Sequence, residues 1–255
     1  MMNCSPLRKT LESLRSLRTE RYLAATAVAS ALARTLGDIP PLPWEQDAEC
    51  HVGGDAGSVF VVDRTDVAGP AEVHLWTFAP GDLRWALNHA ATILSDPYVM
   101  SLASGGSMYP RGAEHRPCLD ELVLHRAPGT GGNDALVMLS RDGPDALART
   151  GAYARELAGV MHDSELDAAV MVDTRGRWRS RCHLERLDRD VVEVAGFLTH
   201  PGCRRRGWGS RLLRAINPPA KHLVYLSPTG NSASIGAARS AGFCPLTVYR
   251  KYLVQ

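Results

Sequence analysis

The chain has 255 residues, 45% of them apolar and 22% charged, enough core material for one or two ordinary globular domains. Its net charge of +2 gives no strongly basic face, so nucleic acid is not an expected partner, and no apolar run reaches membrane-spanning length. The six cysteines are scattered without a C-x-x-C pair, which fits free thiols in a reducing, cytoplasmic setting and gives no disulfide frame or metal site.

The N-terminal stretch SPLRKTLESLRSLRTERYLAATAVASALARTLG sets leucines and alanines at helical spacing with arginines between them. It has the arginine content of a transit peptide, but Glu12 and Glu20 favour docked amphipathic helices. Gly37 and the prolines at 40, 41 and 43 end that region. SVFVVD (58–63) and AEVHLWTF (71–78) read as strands, GDLRWALNHAATILSD (81–96) as a helix stopped by Pro97, 102–117 as a loop, and ELVLHR (121–126) as a strand. APGTGGND (127–134) is rich in glycine and lacks periodicity, the composition of a linker. The expected division is therefore an N-terminal α/β domain over 1–133 and a second domain over 134–255.

The pattern then restarts. ALVMLS (135–140) and AAVMVD (168–173) read as strands around a helical stretch at 144–161. WRSRCHLERL (178–187) and VVEVAGFLTH (191–200) form a strand meander. A loop with three arginines and two glycines follows, then a short helix, the strand HLVYLS (222–227), a helix over 231–242 and a last strand, 245–254.

The loop, HPGCRRRGWGSRLL, is the most informative stretch. Gly207 and Gly209 free the backbone, and the helix starting near Gly209 points unpaired N–H groups and its positive dipole end at the loop. Arg204, Arg205 and Arg206 add charge-assisted donors suited to phosphate oxygens. A Walker loop is excluded because no Gly-Lys-Ser/Thr is present, and a dinucleotide fingerprint is excluded because arginine stands where its first glycine should be.

In the order strand, glycine loop, helix, strand, this stretch resembles the acyl-CoA loop of the GNAT N-acyltransferase superfamily, whose signature is Q/R-x-x-G-x-G/A. Arg204, Gly207 and Gly209 fill it, and Thr199-His200-Pro201 stands where the family has Val-x-Pro. Asn231, followed by a helix ending in Ala241-Gly242-Phe243, matches the family's next segment, and the tail TVYRKYLV is similar to the ending of the glycine-N-acyltransferase-like branch. The resemblance covers residues 134 to 255. It implies an α/β fold with a mixed central sheet flanked by helices, and the N-terminal domain reads as a degenerate copy.

The resemblance also implies direct transfer of an acyl group, most simply acetyl from acetyl-CoA, to the primary amine of a small molecule or peptide. The loop residues Arg204, Arg205, Arg206, Gly207, Trp208, Gly209 and Ser210, with Asn231 and Ser234, would hold the cosubstrate. Backbone N–H groups near Leu198 and Thr199 would face the thioester oxygen. Glu193, an isolated carboxylate eleven residues before Arg204, is the base candidate, with His200 and His183 as rivals. The family's tyrosine seven residues after the Asn is replaced by Ala238, so Tyr225 and Tyr249 become the candidate donors to the departing thiolate, Tyr249 being the one carried with the catalytic set. The position after Arg204, usually glycine in the family, is Arg205. Other readings of the same fold are acyl transfer to a carrier-protein thiol, chemistry on a malonyl thioester, or a non-catalytic acyl-CoA sensor. A monomer or homodimer is expected.

Overall fold

The computed structural model describes residues 5–38, 49–53, 58–63, 71–76, 80–94, 98–103, 115–129, 136–139 and 167–254. The helical stretch expected at 144–161 and most of the linker at 127–134 lie outside the described residues. In chain order the elements are α1 (Ser5–Ser16), α2 (Thr19–Ala24), α3 (Thr26–Thr35), β1 (Glu49–Gly53), β2 (Ser58–Asp63), β3 (Glu72–Trp76), α4 (Pro80–Ile93), β4 (Tyr98–Ala103), β5 (His115–Arg126), β6 (Leu136–Leu139), β7 (Asp167–Val172), β8 (Trp178–Asp188), β9 (Val191–Thr199), a 3-10 turn (Pro201–Cys203), α5 (Trp208–Ala215), β10 (His222–Pro228), α6 (Ser232–Ser240) and β11 (Cys244–Val254). The fold class is mixed α/β.

Residues 1–123 and 246–255 form one compact unit, and residues 124–245 form the other. The chain thus changes unit within β5 and returns within β11, not at the glycine-rich stretch around residue 133. The cause is long-range pairing. β11 runs antiparallel to β4, with Val254 opposite Tyr98 and Arg250 opposite Leu102, so the last strand completes the first unit's sheet.

In the first unit, α1 buries Leu7, Leu11 and Leu14 at helical spacing, and α3 buries Val28, Ala29, Leu32 and Ala33. β1, β2 and β3 pair antiparallel, and β3 runs parallel to β4 across the helix α4. Val62, Val73, Leu75, Met100 and Tyr252 of the sheet pack with Leu83, Ala86 and Ala90 of α4. The Arg250 guanidinium forks onto the Asp120 carboxylate at 2.8 and 2.9 Å.

In the second unit, β6, β7, β8 and β9 pair antiparallel in sequence order, and β9 runs parallel to β10 across α5. β8 alternates buried Trp178, Ser180, Cys182 and Leu184 with half-buried Arg179, Arg181 and His183, as a strand with one covered face must. β7 is buried from Ala168 through Met171, the mark of a central strand. α5 buries Leu212 and Leu213 and packs on β7, β8 and β9.

Two strands went unrecognised in the sequence. ECHVG and YVMSLA are short, and Pro97 reads as a stop rather than as the residue before a strand. No helix among the described residues is long and apolar enough to cross a membrane.

Candidate functional site

The site grows out of an interrupted pairing in the second unit. β9 and β10 pair at three positions, His222 opposite Val191, Leu223 opposite Val192 and Val224 opposite Glu193. Beyond Glu193 the parallel pairing stops although both strands continue. On the other side of β9 the register against β8 slips between Arg181 and His183, which face Leu198 and Ala195. Gly196 sits in that slip with φ +57°, a conformation rare for residues with a Cβ, and a Cβ there would meet the His183 ring at 2.3 Å. The bulge bends β9 away from β10 and opens a wedge.

A pocket of about 710 Å³ lies against β9 beyond the point where the pairing stops, between that strand, the loop and α6. Phe197, Leu198 and Thr199 of β9 form one wall, Cys203 to Ser210 the floor, and Asn231, Ala233, Ser234 and Ala237 the opposite wall. Arg206 is the one residue of that floor that does not line it.

The two loop glycines do different work. Gly207 caps α5 at φ +77°, with open space around it. Gly209 has no side chain because one would strike Phe197 at 2.6 Å and the Thr199 hydroxyl at 2.9 Å, so its absence seats α5 against the bulged strand. Arg205 also has a left-handed backbone, φ +60°, which explains why glycine is usual at that position of the acyl-CoA loop. An L-residue there costs about 1–2 kcal/mol. Arg204, Arg205 and Arg206 are all exposed.

A side-chain chain ties the loop to the β7–β8 turn. Asp173 accepts the Arg175 and Arg177 backbone N–H groups, each at 2.9 Å, and pairs with the Arg177 and Arg179 guanidinium groups. Burial works against its charge, but the Arg177 amide, the Arg179 guanidinium and the Arg175 amide outweigh it and hold its carboxyl well below the usual carboxylate range. Arg179 in turn donates to the buried Cys203 sulfur at 3.0 Å. The Ser180 hydroxyl donates to the Trp208 carbonyl, and the Arg211 guanidinium lies 5.6 Å from the Trp208 ring. Sequence reading passed over Asp173, Arg179 and Cys203. The signal available was the Asp-x-Arg-x-Arg order of the turn, which places donors around one carboxylate.

On the opposite wall, Asn231 caps α6 by accepting the Ser234 N–H at 3.1 Å. Phe243 follows Gly242 into the core, beneath the Arg126 guanidinium. Ala238, where the resemblance expects a tyrosine, is fully buried. Tyr225 of β10 is 3% exposed, and its hydroxyl is hydrogen-bonded to the Ser234 hydroxyl. Its ring stands edge-on to Phe197 and Phe243, each 6.0 Å away. Burial pushes the Tyr225 phenol up, against a smaller downward pull from Ser234, so it stays protonated at neutral pH.

The expected catalytic residues are dispersed. Glu193 is half-buried at the closed end of the wedge, opposite Glu185 and Val224, and does not line the pocket. The His200 ring accepts the Gly202 N–H at 3.2 Å and stands edge-on to Trp178, positions that fix the 3-10 turn. His183 covers Gly196, and burial, with Arg181 nearby, pushes its imidazole down. Tyr249 is buried in the first unit, whereas every pocket-lining residue belongs to the second.

A parallel pair that parts after a glycine bulge, with a glycine loop and helix beside it, is the local frame of the pocket. Solved structures share the overall fold. The chain is similar to a tandem GNAT protein from the clavulanic acid biosynthesis pathway, with 12% identity, 92% of this chain and 93% of that one covered, and a TM-score of 0.53. It is similar to a GCN5-related N-acetyltransferase from Kribbella flavida, with 16% identity, 89% and 95% covered, and a TM-score of 0.55. A Drosophila protein matches over 100% of this chain and 97% of its own at 11% identity, with a TM-score of 0.62. The fold is that of the GNAT acyltransferases. No protein-family model and no curated protein matches the sequence. The two GNAT matches cover 92% and 89% of the chain, and the first of those proteins is itself a tandem GNAT protein.

Proposed function

We propose that the chain is an acyl-CoA-dependent N-acyltransferase that moves an acyl group, most simply acetyl, from CoA to the primary amine of a small molecule or peptide. The observation that carries this reading is the open β9–β10 wedge, floored by Arg204, Arg205, Gly207 and the start of α5.

The chemistry follows from the parts. The pyrophosphate meets the exposed arginines and the free N–H groups at the α5 N-terminus, a low-cost place for negative charge. The His200 N–H donates to Arg179 on β8, so by strand alternation the Thr199 N–H is turned away from β8, toward the wedge, and the Leu198 N–H is not. Thr199 is therefore the strand donor best placed for the thioester oxygen as negative charge develops on it. The amine attacks the carbonyl carbon, the C–N bond forms, the C–S bond breaks with its electron pair on sulfur, and the amine loses a proton. Glu193 is assigned that proton, received across the closed end of the wedge. His200 and Tyr249 remain weaker candidates, His200 because its ring already holds the turn and Tyr249 because it belongs to the other unit.

Thermal unfolding with acetyl-CoA tests the reading. At a hundred times its dissociation constant the ligand should stabilise the protein by about 2.7 kcal/mol, and Arg204→Ala/Gly207→Ala should abolish the gain. No shift with acetyl-CoA or a longer acyl-CoA would refute it.

A further inference from the structure

We propose that Ser234 is the group that meets the departing CoA sulfur, and that Tyr225 is the positioning residue that aims it. This rests on the acyl-CoA reading above and names a part that reading leaves open, since Ala238 removes the hydroxyl the resemblance expects on α6.

Three observations converge. First, Ser234 stands one turn before Ala238 on the same face of α6, and its side chain lines the pocket while Ala238 is sealed. Second, the Ser234 backbone N–H is held by Asn231, so this hydroxyl stands on a capped, fixed turn rather than a frayed one. Third, Tyr225 reaches Ser234 from β10, and Phe197 and Phe243 leave its phenol little room to turn elsewhere. With the phenol assigned as the donor of this bond, the Ser234 hydrogen is left available to the pocket that Ser234 lines. A hydroxyl that β10 cannot place in the pocket directly is thereby delivered through one on α6.

The step balances without another reactant. The C–S bond breaks, sulfur keeps the pair, and Ser234 donates a hydrogen bond to the thiolate. The amine's proton goes to Glu193 and from there to solvent, CoA leaves as the thiolate and takes a proton from solvent, and the serine and tyrosine leave the turnover as they entered it. A donor that stabilises a thiolate lowers the pKa of the corresponding thiol, which can be measured without knowing the amine.

The test uses the full chain loaded with CoA. The bound thiol is titrated by its thiolate absorbance, with desulfo-CoA, which lacks the sulfur, as the reference. The wild-type protein is expected to ionise bound CoA at lower pH than free CoA ionises. Ser234→Ala should raise that midpoint by about one pH unit, the worth of one hydrogen bond to a charged group. Tyr225→Phe should raise it by less, and Ser234→Thr should restore it. CoA should still raise the unfolding midpoint of all three variants, by less in the Ser234 variants than in the wild type because Ser234 also lines the cosubstrate pocket, and cooperative unfolding of each variant shows that it folds. An unchanged midpoint in Ser234→Ala overturns the proposal, as does loss of CoA affinity with no change in midpoint, which would make Ser234 a contact for the body of the cosubstrate. A wild-type protein that does not bind CoA at all overturns the underlying acyl-CoA reading, and this inference with it.

Discussion

Each unit contains a parallel strand pair bridged by a helix, and the two pairs differ in one respect that decides what they can do. In the first unit β3 and β4 stay paired over five positions, from Glu72 opposite Val99 to Trp76 opposite Ala103. In the second unit β9 and β10 part after three. The first bridge, α4, has 14 residues and supplies Leu83, Ala86 and Ala90 to a core. The second, α5, has 8 residues and begins on a left-handed glycine. The residues before α4 read Trp-Thr-Phe-Ala, with neither a glycine nor an arginine, whereas those before α5 read Arg-Arg-Arg-Gly; both helices carry a glycine at their second position, Gly81 and Gly209. The same supersecondary unit is thus a continuous pair in one half and a parted pair in the other. A bulge at Gly196 and a left-handed cap at Gly207 mark the difference, not a change of topology.

The sharpest way to break this comparison is to close the wedge. Gly209→Leu must displace Phe197 or the whole of α5, and overpacking of this kind costs about 1–3 kcal/mol or more. We expect acetyl-CoA to give no thermal stabilisation in that variant, and a full response would separate the loop from the function. A core truncation in the first unit should do the reverse. Leu75→Ala or Met100→Ala should cost about 2–5 kcal/mol by denaturant unfolding while leaving the CoA dissociation constant unchanged.

Arg205→Gly sharpens the comparison at the loop itself. Relief of the left-handed backbone should stabilise the ligand-free protein by about 1 kcal/mol, and loss of the side chain should weaken CoA binding. Opposite signs in unfolding and binding are the expected pair. A variant that binds CoA as well as the wild type would show that the arginine does nothing for the ligand.

A smaller effect concerns pH. The His222 ring lies 3.1 Å from the His125 ring, nitrogen to nitrogen, at the start of β10. Burial pushes His222 down, opposed by Asp190 and assisted by Lys221. Its folded pKa therefore lies below the unfolded value of about 6.5, so its contribution is complete above that pH and is lost as pH falls toward the folded value. His183 acts with the same sign. Unfolding midpoints should decline from neutral pH into the acid range, and His222→Asn should flatten that decline. The smallest change is Ser227→Ala. Its hydroxyl is buried without a hydrogen-bond partner among the described residues, so removal should raise stability by about 1 kcal/mol or leave it unchanged.

Much of the second unit was legible in the sequence, because its chemistry is local. The loop glycines, the Asn231 cap and the Gly242 stop are each fixed by backbone needs within a few residues, and all three stand where the sequence puts them. Gly196 was equally readable, since a glycine inside an apolar strand signals a bulge. The parts that could not be read are long-range. Nothing near Val254 announces that it pairs with Tyr98, so the route of the chain between units was hidden. Tyr225 and Tyr249 look alike as strand aromatics. Only the fold places Tyr225 beside the wedge and Tyr249 in the other unit. Glu193 shows a further limit, because its spacing from Arg204 fits a base while its place outside the pocket lining is a matter of three-dimensional packing.

If the second unit's wedge receives acyl-CoA, calorimetric titration of the full chain with acetyl-CoA should give one site per chain, lost in Arg204→Ala/Gly207→Ala and retained in Leu75→Ala. Two sites per chain, or a site that survives the loop variant, would contradict that reading.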